Sequence, residues 1–288
     1  MACVAVFAWS AFGPESAHAD SAQNLTAKYS SLGERLTQNQ FKRPVVLDSA
    51  ETPTQVTGEI YAVIDHPFAA VSKGLNNPDH WCDVISLHIN TKYCRAVSGP
   101  DGTLLKVNIG KKTPERLADV PRVEFKYAAI EATPNYFDIR LSAKEGPMGT
   151  SDFRIELEAV AISSSKTFLH LTYSYAMNFA ARLAMQTYLA TIGSGKVGFT
   201  QIAKAGDAQV TYIAGMRGLV ERNTMRYYLA IDSFLEAATQ APGAQLDKRL
   251  QSWFSAVEQY PRQLHELDRA AYLSMKHDEY SRQKTVQD

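Results

Sequence analysis

From His88 to Tyr175 the chain repeats one pattern six times, in HINTKYCRAV, TLLKVNIGK, RVEFKYAAIEA, NYFDIRLSAKE, FRIELEAVAI and TFLHLTYSYAM. Apolar and polar residues alternate within each run. The runs are separated by turn-forming clusters at Gly99-Pro100-Asp101-Gly102, Thr133-Pro134-Asn135, Gly146-Pro147 and Ser163-Ser164-Ser165. A period of two puts successive side chains on opposite faces of a strand, and short turns join neighbours head to tail, so the pattern predicts an antiparallel meander. In FRIELEAVAI the charges Arg154, Glu156 and Glu158 alternate with Ile155, Leu157 and Ala159, which predicts one wet and one dry face. A sheet of that kind needs a cover over its dry face.

The chain carries a candidate for that cover near its end. Gly215-Met216-Arg217-Gly218 leads into LVERNTMRYYLAIDSFLEAA, where Met216, Val220, Tyr227, Ile231 and Phe234 or Leu235 recur at helical spacing until Ala241-Pro242-Gly243. Upstream, EIYAVID reads as a strand stopped by His66-Pro67. Two short helices, PFAAVSKGL and PDHWCDVI, follow with Asp65 and Asn77 in N-cap positions. Asn24 to Gln40 carries Leu25, Tyr29, Leu32 and Leu36 at helical spacing. FAARLAMQTYLATIGSGK interrupts the strands with a helical pattern, after which VGFTQIAK and VTYIAGM read as strands again. The residues from Ala244 to Gln283 read as two amphipathic helices divided at Pro261, with Leu246, Leu250, Trp253, Val257 and Tyr260 as a stripe that packs onto the domain.

The N-terminus, MACVAVFAWSAFGPESAHADSAQ, has an apolar run from Cys3 to Phe12, a Gly-Pro break and the small-x-small sequence Ala17-His18-Ala19 before Asp20. That arrangement suits a cleaved export signal, although no Lys or Arg precedes the run. Export would leave two of the three cysteines, Cys82 and Cys94, and an even count in an oxidising compartment favours a disulfide. Two free buried thiols are the bland alternative. A metal set of His80, Cys82, His88 and Cys94 has H-x-C, C-x5-H and H-x5-C spacings that match no common zinc template. Lys plus Arg and Asp plus Glu stand at 30 each, so no global field points to nucleic acid.

A strand, two short helices, a meander and a long C-terminal helix together resemble the START and polyketide-cyclase-like superfamily, whose fold is called helix-grip. The resemblance is carried by element order over about Gly58 to Ala238, above all by DHPFAAVSKGLNNPDHWCDVI and GMRGLVERNTMRYYLAIDSFL. It implies an α+β fold in which a curved antiparallel sheet surrounds the last helix and leaves an apolar tunnel for lipids, sterols, hopanoids or polyketide-like molecules. The organisation expected is a signal peptide over 1–19, an N-terminal helix and linker over 20–55, the helix-grip domain over 56–240 and a helical extension over 241–288. Residues 178–196 and the extension depart from the pattern.

Polar groups on the apolar stripes are the candidates for ligand contact. Asn223 lies between Val220 and Tyr227, and Tyr173 and Tyr175 are in phase with Leu169 and Leu171. Each also suits an ordinary satisfied core residue. Arg217, Glu221, Arg222 and Arg226 read as a solvated face with an Arg217–Glu221 pair, or, functionally, as a source of one arginine, Arg217, at the cavity entrance. The expected ligand-binding set is therefore Tyr173, Tyr175, Asn223, Tyr227 and Arg217, with no catalytic or metal-binding residue.

No nucleophile motif occurs, and TIGSGKV lacks both the Gly and the Ser or Thr of a phosphate loop. HELDR at His265 reads as a solvated helix face, and His170 as a surface residue or one half of an acid-base pair with Asp138. The reading is an exported, periplasmic or secreted, binding or carrier protein for a hydrophobic small molecule, without cofactor and with transient membrane contact. Its alternatives are a cyclase-like enzyme using the same cavity and a ligand-free structural envelope protein.

Overall fold

The computed structural model describes residues 14–191, 193–202 and 210–285. The apolar run from Cys3 to Phe12 lies outside them. The first helix, α1 (Pro14–Leu32), is continuous across Ala19–Asp20 and is extended by a 3-10 turn over Gly33–Leu36.

All six alternating runs are strands: β3 (Thr91–Gly99), β4 (Gly102–Ile109), β5 (Arg122–Ala132), β6 (Tyr136–Glu145), β7 (Thr150–Ala161) and β8 (Thr167–Met177). They form the expected meander. Two further strands, β1 (Val45–Glu51) and β2 (Gln55–Ile64), complete an antiparallel sheet of order β1-β2-β8-β7-β6-β5-β4-β3. β1 falls inside the span read as linker, so the N-terminal boundary of the domain moves upstream of residue 56. Its short VVL core between Pro44 and Asp48 gave too few alternations to register as a strand.

Register shifts in the β3–β4, β5–β6 and β7–β8 ladders mark bulges, and the one in β7 contains Asp152 at φ 49°. Bulges bend a strand and increase its twist, which curls the sheet toward the helix it holds. The alternation in β7 is as expected, with Phe153, Ile155, Leu157 and Ala159 buried inward.

Between β2 and β3 lie α2 (Phe68–Leu75) and α3 (Pro78–Leu87). Asn77 caps α3 by accepting from the Asp79 amide at 2.9 Å. Asp65 does not cap α2, whose N-cap is Pro67; it pairs instead with Lys166. Cys82 of α3 and Cys94 of β3 form a disulfide, with Cα atoms 5.2 Å apart. A bridge closing a loop this short stabilises the fold by about 3 kcal/mol in the chain-entropy picture.

After β8 come α4 (Phe179–Ala190), the two-residue strands β9 (Gln201–Ile202) and β10 (Thr211–Tyr212), and α5 (Gly215–Ala237). The long strands expected over VGFTQIAK and VTYIAGM thus shrink to one small ladder, and residues 203–209 lie outside the described residues. α5 packs on β1, β2 and β8 inside the concave sheet. Gly58 of β2 allows that approach, since a Cβ there would collide with Thr224 Oγ1. The result is an α+β helix-grip fold.

The C-terminal segment is part of the core. α6 (Gln245–Val257) and the short α7 (Pro261–Leu264) cover the back of α5, and α8 (Arg269–Thr285) packs on α6, α3 and β3, with Trp253 stacked on Tyr272 at 4.9 Å between centroids. Trp253 Nε1 donates to the Arg226 carbonyl and Tyr272 Oη to the Leu87 carbonyl, so each buried aromatic also satisfies its polar atom.

Two expectations about solvated faces fail for that reason. Glu221, Arg222 and Arg226 are buried, because the 197–200 segment and α6 cover the sides of α5 that carry them. Glu221 does not pair with Arg217; its carboxylate accepts from Ser49 Oγ, Thr200 Oγ1 and the amides of Phe199 and Thr200, at 2.6 to 2.9 Å. Glu266 of HELDR also turns its side chain inward, leaving it 8% exposed, and accepts from Arg226, Lys112 and Lys196.

The outer face of the sheet is partly dry as well. Leu25, Leu32 and Leu36 pack on Tyr61, Tyr136, Val160 and Phe168, so α1 shields that end of the sheet. Beneath it His170 stacks on Tyr61 and bonds to Glu59 and Glu158, each at 3.1 Å. Asp138 pairs with Arg140 instead, because Glu158 of β7 stands between it and His170 in the register.

Candidate functional site

A cavity of about 750 Å³, open to solvent on one side, lies between α5 and the concave face. Its walls follow from the periodicities of the elements. On α5, Leu219, Asn223 and Tyr227 recur every four residues and form the lining stripe. On β8, Tyr173 and Tyr175 point inward two residues apart, and Phe153 of β7 stacks on Tyr175 at 5.2 Å. Met185 of α4, Ile109 of β4 and the segment 110–121 close the sides. Pro147 and Met148 stand at the rim, with Met148 81% exposed. A solvent-open cleft of this volume falls within the range of small-molecule sites.

Four of the five anticipated ligand residues therefore share this space: Tyr173, Tyr175, Asn223 and Tyr227. Arg217 does not line it. Two residues before Leu219, it sits roughly 200° around the helix from the lining stripe, and its Nε donates to Ser49 Oγ at 3.0 Å. The sequence reading missed Leu219, although it completes the 219–223–227 spacing. It also missed His88, which it had considered only as a metal ligand; that residue enters the cavity through the turn after α3, which alternation cannot place.

His88 is buried at the inner end, stacked on Tyr227 at 5.0 Å. Nδ1 accepts from the Asn90 amide at 3.2 Å, which puts the ring proton on Nε2. Burial first, then the charges of Arg226, Lys276 and Lys112, hold its pKa well below the usual imidazole value despite the neighbouring Asn223 amide, so the ring is neutral. Among the described residues Nε2 has no partner within ordinary hydrogen-bond geometry, although the Asn223 carboxamide is close enough to pull the ring's pKa upward. Asn223 Oδ1 accepts from Arg226 Nη1 at 3.3 Å, leaving the carboxamide nitrogen for the cavity.

Burial raises the pKa of Tyr173, Tyr175 and Tyr227, so all three present neutral hydroxyls at neutral pH. At the mouth the charges are paired: Glu115 accepts from the Lys111 amide and lies 3.9 Å from Lys111 Nζ, and Asp119 pairs with Arg116. The chemistry available is that of a largely aromatic and aliphatic container with a few donors at one end. Among the described residues no hydrogen bond joins His88 to a carboxylate, no group of three or more His, Cys, Asp or Glu is placed to hold a metal, and no helix is long and apolar enough to cross a membrane.

No protein-family model matches the chain, and no curated protein matches its sequence. Solved structures similar to it include a norcoclaurine synthase point mutant from Thalictrum flavum in complex with a transition-state analogue, at 11% identity over 52% of this chain and 89% of that one, with a TM-score of 0.34. Ara h 8.0201 is 14% identical over 64% of this chain and 99% of that one, with a TM-score of 0.35. The Zhui aromatase/cyclase from Streptomyces sp. R1128 is 10% identical over 70% and 96% of the two chains, with a TM-score of 0.32. The strand order, register and helix packing of this chain are what define its fold.

Proposed function

We propose that this chain is an exported carrier that binds a hydrophobic small molecule, such as a lipid, sterol or hopanoid-like compound, in the cavity beside α5. The observation that carries the reading is the aromatic and aliphatic lining of a space of about 750 Å³. Removing a ligand's apolar surface from water is worth about 25 cal/mol per Å², and a few polar groups then select its polar end.

Export is supported by the Cys82–Cys94 disulfide and the leader-like residues 1–19. Cleavage after Ala19 would leave the contacts of Leu25, Leu32 and Leu36 in place. Transient membrane contact is supported by the exposed Met148, Phe179 and Leu183, since α4 packs beside the 147–149 rim. Binding rather than turnover is favoured because the buried histidine hydrogen-bonds to backbone and, among the described residues, to no carboxylate.

Native mass spectrometry of protein purified from its own cell envelope, followed by lipid extraction, tests the proposal. A bound hydrophobic molecule near one per chain is expected. Protein that is empty from every preparation, and takes up no lipid or sterol offered to it, would contradict the proposal.

A further inference from the structure

The inner end of the cavity combines neutral donors with an uncompensated positive background. Arg222, Arg226, Lys92 and Lys276 are all buried, each no more than 3% exposed. They share two carboxylates, Glu266, 3.0 Å from Arg226, and Glu279, 3.0 Å from Lys92 and 2.8 Å from Lys276. The buried Glu221 beside Arg222 accepts from neutral donors and is the one further buried carboxylate among the described residues of α5, so cations still outnumber carboxylates. Among the described residues Arg222 donates one hydrogen bond, to the Val197 carbonyl at 3.2 Å, and feels the charge of Glu266 at longer range. Lys112 and Lys196 add two more cations on Glu266, though both are about one-third exposed and partly screened by water.

These cations stand directly behind the two groups that line the cavity. Lys276 Nζ donates to the His88 carbonyl at 2.7 Å, and Arg226 Nη1 to Asn223 Oδ1 at 3.3 Å. Burial, with Arg226 contributing and Glu266 opposing, brings Arg222 down to about 10, and burial brings Lys276 down to about 8 although the charge and hydrogen bond of Glu279 oppose it. The lining itself supplies no free carboxylate, because Glu115 and Asp119 already have Lys111 and Arg116. What remains without a partner of good hydrogen-bond geometry is a donor, the buried His88 Nε2–H, whose polar neighbour, the Asn223 carboxamide, is already taken up by Arg226.

We propose that the cavity's ligand is an amphipathic monoanion whose carboxylate accepts from His88 Nε2 and the Asn223 carboxamide nitrogen, with its apolar tail against Tyr175, Phe153 and Leu219. This rests on the carrier reading and names the chemistry of its cargo. The anion supplies the missing acceptor and offsets the buried positive excess without contacting a cation directly. Charge-assisted hydrogen bonds inside a low-dielectric pocket are stronger than neutral ones, which makes the headgroup selective rather than incidental.

Calorimetric titration at pH 8 with dodecanoate and dodecan-1-ol, which share a tail and differ in headgroup, tests the assignment. Dodecanoate is expected to bind the full chain about tenfold or more tightly than the alcohol. The ratio should fall to about one in Asn223→Leu and invert in Asn223→Asp, where a new carboxylate repels the ligand's, with thermal unfolding confirming that both variants are folded. Saturable binding of both ligands with equal affinity, or an unchanged ratio in folded Asn223→Asp, overturns the anionic headgroup and leaves the carrier reading standing. Binding of neither ligand, or of their longer-chain homologues, removes both.

Discussion

The two sides of α5 have been put to opposite uses. One side, carrying Val220 and Thr224, is pressed so closely onto β2 that only glycine fits at position 58. The other side, carrying Leu219, Asn223 and Tyr227, faces open space. A helix held along the β1–β2–β8 part of a curling sheet cannot also touch the far strands, so tight contact on one flank creates the void on the other. The container is thus a consequence of how firmly the helix is anchored.

The anchored flank should be the costly one to disturb. Glu221→Ala removes the acceptor of four hydrogen bonds and leaves buried donors unmet. A loss on the order of 3 kcal/mol or more is expected in urea unfolding. A loss under about 1 kcal/mol would mean that water enters readily and that this flank is looser than described.

Gly58→Val and Leu219→Ala compare the flanks directly. The valine collides with Thr224 and should destabilise by about 1–3 kcal/mol, as overpacked cores do. The alanine removes a side chain already bordering a void, so about 1 kcal/mol or less is expected instead of the usual cost of emptying a filled core. Equal losses in the two variants would erase the distinction between the flanks.

The smallest expected effect lies on the outer face and serves as a control. Burial lowers the pKa of His170, but hydrogen bonds and charge from Glu158 and Glu59 outweigh it and leave the folded value raised. Its hydrogen bond to His170 is the main cause lowering Glu59; for Glu158, burial is outweighed by bonds to His170 and Tyr136, and the value is lowered as well. The histidine's contribution is complete below its unfolded pKa near 6.5 and lost as pH rises through its folded value; the carboxylates' contribution is present above about 4.5 and lost as pH falls. The advantage of wild type over His170→Gln should peak between these limits, at no more than about 1 kcal/mol after screening, and fade in alkaline solution. An advantage that grows above pH 8 would show the ring to be neutral in place.

Much of this architecture was legible from the residues. Alternation located six strands because each of those strands has one buried and one polar face. Helical spacing located α5 and three of its neighbours for the same reason. β1 escaped because three apolar residues carry no period, and the buried charges of α5 escaped because Glu221, Arg222 and Arg226 are polar by type and buried only through segments more than ten residues away. Tyr173, Tyr175, Asn223 and Tyr227 were found by their phase with apolar neighbours. His88 lies in a turn and has no phase, so its place beside Asn223 emerges only from the packing of α3, β3 and α5.

The central claim is that the space beside Leu219, Asn223 and Tyr227 holds a guest. Titration of a neutral hydrophobic fluorophore, N-phenyl-1-naphthylamine, into wild type and Leu219→Trp measures it most directly. Saturable binding near one site per chain, weakened about tenfold or more in the tryptophan variant at a comparable melting temperature, is the expected result. Indistinguishable binding curves for the two folded proteins would contradict it.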